Sequence, residues 1–345
     1  MALWHHDNAA TLRRTSVTGI PLGIDQIENG IKALSGIDGV CDIVPEFELL
    51  AKPYQDILNS KYNYKYFRGF IDATIATGKY EVNDNIRALP YDFRRVLDPL
   101  FRENMFHEMR NQVESMHSKY GPVVIVGHSL GAVLFKWFLS SKVDAKWAKT
   151  YVKRLFIVNA PFGGSNTALK AILSGEYFVP IFSKQFHSSL QLNSGIIMCF
   201  PNVHGYELEE PLAIVNKKVV SPETLEREHS GTLFQTRDAF DAWYHLYRPH
   251  MECIMETICV PTHIVTCMPT LDTLKTFKLR EVGGGDVEEI ASELGDGQVS
   301  ARSLNVAYSL FDSSTMLKTT IDGCHHINII CDPRFAQLVL EEALD

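Results

Sequence analysis

A serine between two glycines is the residue of this chain whose setting most clearly indicates chemistry. It lies in Gly127-His128-Ser129-Leu130-Gly131, which matches the pattern G-x-S-x-G. The β-branched run Val123–Val126 precedes it, and the apolar segment Ala132–Ser140 follows it. A strand, a sharp turn and a helix in this order form a nucleophile elbow, in which the hydroxyl projects from the end of a sheet. We therefore expect Ser129 to be a nucleophile and the Leu130 N–H, at the helix start, to donate to an oxyanion.

A serine hydroxyl is a weak nucleophile, so it needs a base and an acid that orients the base. In this type of fold the acid and then the base follow the serine along the chain. His325 and His326 are adjacent, between a predicted strand and the terminal helix, and spacing alone does not choose between them. The candidate acids are Asp296, in a glycine-flanked loop, and its rivals Asp286 and Asp272.

The elements that would position these residues alternate between strand and helix. Helical spacing of apolar residues predicts a helix over 101–118. Short apolar runs predict strands at 123–126, 155–158, 263–267 and 316–321. The last residues predict a helix at 334–344. This alternation favours a mostly parallel sheet with covering helices. Together with the elbow at Ser129, it favours an α/β-hydrolase fold.

The second and third strands are separated by about a hundred residues, far more than a crossover connection needs. This segment is rich in aromatic residues and prolines, and a helix is predicted at 236–247. We interpret it as a cap or lid at 166–260, inserted into one α/β-hydrolase domain that spans 1–345. Its aromatic side chains are expected to form either a core or a lipid-facing surface.

Composition limits the classes of partner. The 345 residues contain 33 lysines and arginines against 41 aspartates and glutamates, a net charge of −8. An acidic chain without a basic run disfavours nucleic acid and strong attraction to anionic lipid surfaces. No apolar stretch is long enough to predict a transmembrane helix. The seven cysteines have irregular spacing without a metal-binding pattern, so neither a metal nor another cofactor is predicted. The oligomeric state stays open.

Several segments in collinear order resemble the lecithin:cholesterol acyltransferase and lysosomal phospholipase A family. Ala88–Arg94 is similar to that family's A-x-P-Y-D-W-R, and Gly127–Gly131 is similar to its serine elbow. Asn159–Ser165 is similar to G-A-P-W-G-G-S, and Gly295–Val299 to G-D-G-T-V. His326–Ile330 resembles H-I-E-M-L. Leu173–Glu176 is similar to its A-S-G-D, and Phe234–Asp238 to its Y-T-x-R-D. The likeness before residue 88 is weaker.

The resemblance implies an acid, a base and a class of substrate. It favours Asp296 over Asp286, and His326 over His325. It implies hydrolysis of fatty acyl chains from phospholipids, or their transfer to sterols, diacylglycerol or other hydrophobic alcohols. A lipid ester is therefore the expected substrate, with peripheral membrane contact through the cap. Phe162, which would line an acyl pocket, and His128 are candidate substrate-binding residues.

One departure concerns the start of the chain. Family members begin with an apolar strand and V-P-G-x-x-G, which supplies a second oxyanion donor. Gly19–Gly23 has a proline and two glycines, but Leu12–Thr18 is a poor strand, so we expect the oxyanion strand to be missing. A complete chain without a signal peptide would be cytoplasmic, and a chain missing its first segment would be secretory or lysosomal. The alternatives to a lipid acyltransferase are a catalytically impaired lipid-binding homologue and a generic carboxylesterase.

Overall fold

The structure is a computed structural model, and it describes residues 66–175, 193–227, 242–283 and 287–344. The chain divides into two compact units, Met1–Phe93 with Ile330–Leu340 and Arg94–Ile329 with Glu341–Asp345. The predicted oxyanion segment at 12–23 and the rival acid Asp286 lie outside the described residues, as does much of the predicted cap. The division into one domain and a cap at 166–260 stays a prediction.

The described helices and strands are as follows. The helices are α1 (Arg68–Ala76), α2 (Pro99–Tyr120), α3 (Leu130–Ser141), α4 (Ala145–Tyr151), α5 (Asn166–Ser174), α6 (Ser194–Met198), α7 (Pro222–Glu226), α8 (Arg248–Met255), α9 (Ala301–Asn305) and α10 (Pro333–Leu344). The strands are β1 (Val123–His128), β2 (Val152–Val158), β3 (Ala213–Val215), β4 (Lys218–Val220), β5 (Thr262–Cys267), β6 (Leu271–Leu279), β7 (Val287–Gly295) and β8 (Met316–Ile321).

In the first unit, the described residues form a small apolar cluster around Ile71 of α1. Phe67, Phe70, Ile86 and Ala88 pack against this buried side chain. The Phe70 ring also lies 5.7 Å from the Phe335 ring, measured between centroids. This cluster joins α1 to the start of α10 within the unit.

Among the described residues, a four-stranded parallel sheet organises the second unit. Its strand order is β1-β2-β5-β8, and every neighbouring pair runs parallel. The residues Leu155–Val158 of β2 are fully buried, because an inner strand of a parallel sheet is covered on both faces. Parallel strands share one carboxyl edge, so the residues that follow β1, β2, β5 and β8 lie along the same edge. This sheet with its flanking helices confirms the predicted α/β-hydrolase fold.

Helix α2 confirms the helix predicted at 101–118, and its ends have clear causes. Asp98 accepts hydrogen bonds from the Leu100 and Phe101 N–H groups, with Pro99 at the first helical position. Gly121, with φ 81°, ends the helix. Along its buried face, Phe106 makes edge contact with the Trp137 ring of α3 at 5.7 Å. This contact packs α2 against α3, the helix after Ser129.

A second sheet, with strand order β4-β3-β6-β7, was not predicted. Strands β3 and β4 form a hairpin, and Asn216 and Lys217 at its turn have positive φ angles of 48° and 64°. Strands β6 and β7 pair antiparallel. Most of β7 is exposed or half-buried, so its sequence lacks the apolar alternation that predicts a strand.

Of the helix predicted at 236–247, only residues 242–247 are described, and helical structure continues from them to Met255. Residues 228–241 lie outside the described part of the chain, and 243–247 form a π-helical turn that leads into α8. Pro249 stands in the first turn of α8, directly after the π-helical turn, and the helical stretch continues past it to Met255. Trp243, Tyr247 and Tyr206 are buried, so these three aromatic side chains belong to a core.

Lys136 of α3 is a charged side chain without solvent exposure. Its ammonium donates to Ser140 Oγ at 2.7 Å and to the carbonyls of Ile254 and Glu256 at 2.8 Å each. Both carbonyls lie at the end of α8, where backbone acceptors lack helical partners. Burial lowers the Lys136 pKa from 10.5 to about 8, while nearby Cys253 and Glu256 oppose that change.

The stability contributed by Lys136 should therefore depend on pH. Because its pKa is lower in the folded chain, the unfolded chain binds more protons between pH 8 and 10.5, and stability rises with pH there. We therefore compare the free energy of unfolding of wild type with that of Lys136→Met. Between pH 8 and pH 10.5, the difference should change by up to about 3 kcal/mol in favour of wild type. Urea unfolding at pH 7.5 and pH 10 measures it, with the exposed Lys149→Met as control. An equal pH response of both variants would refute this expectation.

No helix among the residues that the structure describes has the length and hydropathy to cross a membrane. Within the same residues, no group of three or more histidine, cysteine, aspartate or glutamate side chains is arranged to hold a metal ion.

Candidate active site

Ser129 lies at the sharp turn between β1 and α3. Its backbone angles are φ 53° and ψ −129°, a conformation that non-glycine residues rarely adopt. A Cβ atom at Gly127 would lie 2.8 Å from the Ala132 Cα, so a glycine is required for this turn to close. The Ser129 N–H donates to the Val158 carbonyl at 2.9 Å. Ser129 is half-buried, and Leu130 begins the helix behind it.

Three side chains from distant parts of the sequence form one hydrogen-bonded chain. The His326 Nε2 atom lies 2.9 Å from Ser129 Oγ. On the other side of the ring, Nδ1 lies 2.7 Å from Asp296 Oδ2. Asp296 is fully buried and His326 is 5% exposed. The structure thus brings together the three residues that the sequence selects as nucleophile, acid and base.

The Asp296 carboxylate is held by its own loop. Its Oδ1 atom accepts the N–H groups of Gln298 at 3.0 Å and Val299 at 2.8 Å. Gly297, with φ 91°, donates its N–H to Thr273 Oγ1 at 3.0 Å. Because Oδ1 is occupied by two backbone donors, the other oxygen faces the His326 ring in a fixed orientation.

The rival residues lie elsewhere. His325 is exposed, and its backbone N–H donates to the Asn328 side chain at 2.6 Å. Asp272 is exposed on β6 and accepts a long hydrogen bond of 3.4 Å from Ser292 Oγ. Neither side chain has a described hydrogen bond to Ser129 or His326.

The two candidate substrate-binding residues are both buried. Phe162 is 1% exposed, and its carbonyl accepts the Asn202 side-chain amide at 2.9 Å. Its role in lining an acyl pocket stays a prediction. His128 is 2% exposed, and its Nε2 atom lies 2.7 Å from the His326 carbonyl oxygen. The sequence does not predict this contact, because 198 positions separate the two residues.

The loop after β2 is packed tightly against its neighbours. Ser303 Oγ donates to the Gly164 carbonyl at 2.6 Å, and Ser165 Oγ donates to the Gln298 carbonyl at 2.5 Å. A Cβ atom at Gly164, where φ is 87°, would lie 2.1 Å from the Phe200 carbonyl oxygen. The loop is therefore fastened to the segment that carries Asp296.

Gly164→Ala is expected to lower the free energy of unfolding by more than about 3 kcal/mol, because backbone atoms cannot move away from the new methyl group. Gly323→Ala is the matched control. It also has a positive φ of 68°, but nothing lies within 4 Å of its Cβ position, so only about 1–2 kcal/mol should be lost. Urea unfolding of both variants checks the difference, and equal losses would mean that the close approach at Gly164 is not what limits the substitution.

The arrangement as a whole is able to perform acyl transfer. A hydroxyl next to an imidazole, itself oriented by a carboxylate, is the set of groups that activates a serine toward an ester carbonyl. The Leu130 N–H lies at a helix N-terminus, where the helix dipole favours a developing negative charge.

The parallel sheet and the strand–serine–helix turn at its carboxyl edge define a protein of the α/β-hydrolase class. Within that class, residues 50–258 match the model of the lecithin:cholesterol acyltransferase family. The chain belongs to this family.

Individual relatives in the family align over parts of the chain. The phosphatidylcholine-sterol acyltransferases of Papio anubis and Homo sapiens are each 30% identical over 172 residues, which is 48% of this chain and 38% of theirs. The lysosomal phospholipase A and acyltransferase of Mus musculus is 33% identical over 142 residues, 40% of this chain and 33% of that protein. The matches thus span under two fifths of the relatives' length.

Two solved structures align with lower similarity. The Tle4-Tli4 complex gives a TM-score of 0.46 at 13% identity, covering 73% of this chain and 64% of that one. A putative lipase from Acinetobacter baumannii AYE gives a TM-score of 0.32 at 16% identity, covering 70% of this chain and 65% of the other.

Proposed function

We propose that this protein is a serine-dependent lipid acyl hydrolase or O-acyltransferase that acts on phospholipids or related lipid esters. The observation that carries the proposal is the hydrogen-bonded chain from Ser129 through His326 to Asp296, with distances of 2.9 and 2.7 Å. The names of the family relatives, sterol acyltransferases and lysosomal phospholipases, support a lipid ester as the substrate.

The first half of the reaction forms an acyl-enzyme. Ser129 Oγ attacks the ester carbonyl while His326 Nε2 takes its proton, and Asp296 stabilises the resulting imidazolium. The carbonyl oxygen becomes an oxyanion, to which the Leu130 N–H donates. The bond to the leaving alcohol then breaks, and His326 returns the proton to that alcohol.

The second half transfers the acyl group. Water or a hydrophobic alcohol gives its proton to His326 and attacks the Ser129 ester. Collapse of the second tetrahedral intermediate releases a fatty acid or a new ester and restores the serine hydroxyl. The same three side chains serve both outcomes, so the acceptor that reaches the acyl-enzyme decides between hydrolase and transferase.

Product analysis on phospholipid vesicles tests the proposal. The full chain is incubated with vesicles that contain or lack a sterol or a long-chain alcohol. We expect free fatty acid and lysophospholipid without the acceptor, and an acyl ester of the acceptor when it is present. Folded protein that binds vesicles without forming either product would favour a lipid-binding homologue. Turnover of short soluble esters alone would favour a generic carboxylesterase.

A further inference from the structure

Both backbone polar groups of His326 are bound by buried partners. Its N–H donates to the Asp296 carbonyl at 2.9 Å. Its carbonyl oxygen lies 2.7 Å from His128 Nε2 and 3.4 Å from the Asn159 side-chain amide. A carbonyl only accepts, so His128 must carry its proton on Nε2 and donate it. The shorter of the two bonds to this carbonyl therefore comes from His128.

The bond from His128 connects two distant parts of the sheet. His128 is the last residue of β1 and the direct neighbour of Ser129, whereas His326 lies in the loop after β8. Among the described strands, β1 and β8 stand at the two ends of the order β1-β2-β5-β8, with β2 and β5 between them. The bond thus ties the strand that carries the nucleophile to the loop that carries the base, across the carboxyl edge of the sheet.

We propose that His128 is a positioning residue, whose Nε2–H bond to the His326 carbonyl holds the base within hydrogen-bond reach of Ser129 Oγ. The inference rests on the proposed function, since it assigns a role in the same reaction. His128 does not touch the reacting atoms through this bond. It acts by limiting the movement of the His326 loop, and small displacements of a reacting group strongly reduce the rate of catalysis.

The electrostatic surroundings agree with this role. The His128 pKa is well below 6.5, first because burial disfavours the charged ring and then because His326 lies nearby. The two rings are 5.1 Å apart between centroids. A neutral donor at this distance does not repel the imidazolium that forms on His326 during turnover, whereas a cationic donor would.

Glutamine and asparagine at position 128 both supply an amide N–H donor, but they differ in how far that donor reaches. The Gln amide nitrogen takes nearly the place of imidazole Nε2, whereas Asn is one methylene shorter and cannot reach the carbonyl. His128→Met fills the space without a donor and replaces His128→Asn if that variant does not fold. His263 of β5 provides the matched control, since its Nε2 lies 2.8 Å from Thr319 Oγ1 and neither residue belongs to the Ser129–His326–Asp296 chain. His263→Gln and His263→Asn complete the set.

The readouts are kcat and KM for a soluble ester and the urea unfolding midpoint. We expect His128→Asn and His128→Met to lower kcat about 100-fold with KM nearly unchanged, and His128→Gln to retain most of the turnover. The two His263 variants should keep kcat, whatever their stability. Equal kcat for the Gln, Asn and Met variants at position 128 would overturn the inference alone. So would a loss of kcat that tracks the unfolding midpoint across the variants of both His128 and His263. A folded wild type without turnover would overturn the proposed function and this inference with it.

Discussion

Ser129→Ala is expected to lower ester turnover by a factor of about 10⁴ or more, because the attacking oxygen is the one atom removed. The unfolding midpoint should change little. The half-buried side chain loses a single hydroxyl, and alanine meets the same φ of 53° that serine already accepts. Initial rates on a phospholipid or a chromogenic ester measure the effect.

Ser141→Ala is the matched control for this variant. Ser141 lies at the end of the same helix, and its hydroxyl donates to the Trp137 carbonyl at 2.8 Å, away from the His326 ring. It should retain full turnover. If Ser129→Ala keeps more than about a tenth of the wild-type rate while folded, the nucleophile is a different group and the proposed mechanism fails.

Asp296→Asn is expected to lower kcat by a factor of about 10³–10⁴ while the fold stays intact. The reason lies in the two N–H groups of Gln298 and Val299 that donate to Oδ1. They will hold the amide oxygen of asparagine, so its NH₂ group must face His326 Nδ1. That ring nitrogen can then only accept, which places the ring proton on Nε2. An Nε2–H group cannot take the proton of Ser129.

Asp272→Asn provides the comparison for the acid. Asp272 is exposed on β6, and its replacement should leave kcat within about twofold of wild type, as is usual for surface substitutions. If Asp272→Asn reduced kcat as strongly as Asp296→Asn, or if Asp296→Asn remained fully active, Asp296 would not be the residue that orients the base.

The parts of the fold that sequence predicts are those with strong local patterns. The run Val123–Val126 alternates between buried and half-buried positions, and most of the helix after Ser129 is buried, so both segments are apolar for a physical reason. The predicted helix ends at residue 247, whereas the helical stretch continues through Pro249 to Met255, because a proline marks a helix end often but not always. Strand β7 carries Glu288, Glu289 and Glu293 on largely exposed positions, so nothing in its composition resembles a strand of a core sheet.

The residues of the site also differ in how far local sequence identifies them. Ser129 is identifiable from local sequence, because the elbow needs glycine and apolar neighbours within a few positions. His326 and Asp296 were chosen over their rivals by family resemblance, since adjacent histidines and several glycine-flanked aspartates have the same local pattern. The bond from His128 to the His326 carbonyl depends on how β1 and β8 are ordered in the sheet. It becomes visible only in three dimensions.

Labelling with a fluorophosphonate tests the central claim most directly, because such a probe reacts with a serine only where a base activates its hydroxyl. The full chain would be treated with the probe, digested, and analysed by mass spectrometry. We expect one label per chain, on Ser129, and none on Ser129→Ala. Folded wild-type protein that takes no label, or a label on a different serine, would contradict the assignment of Ser129, His326 and Asp296 as the reacting set.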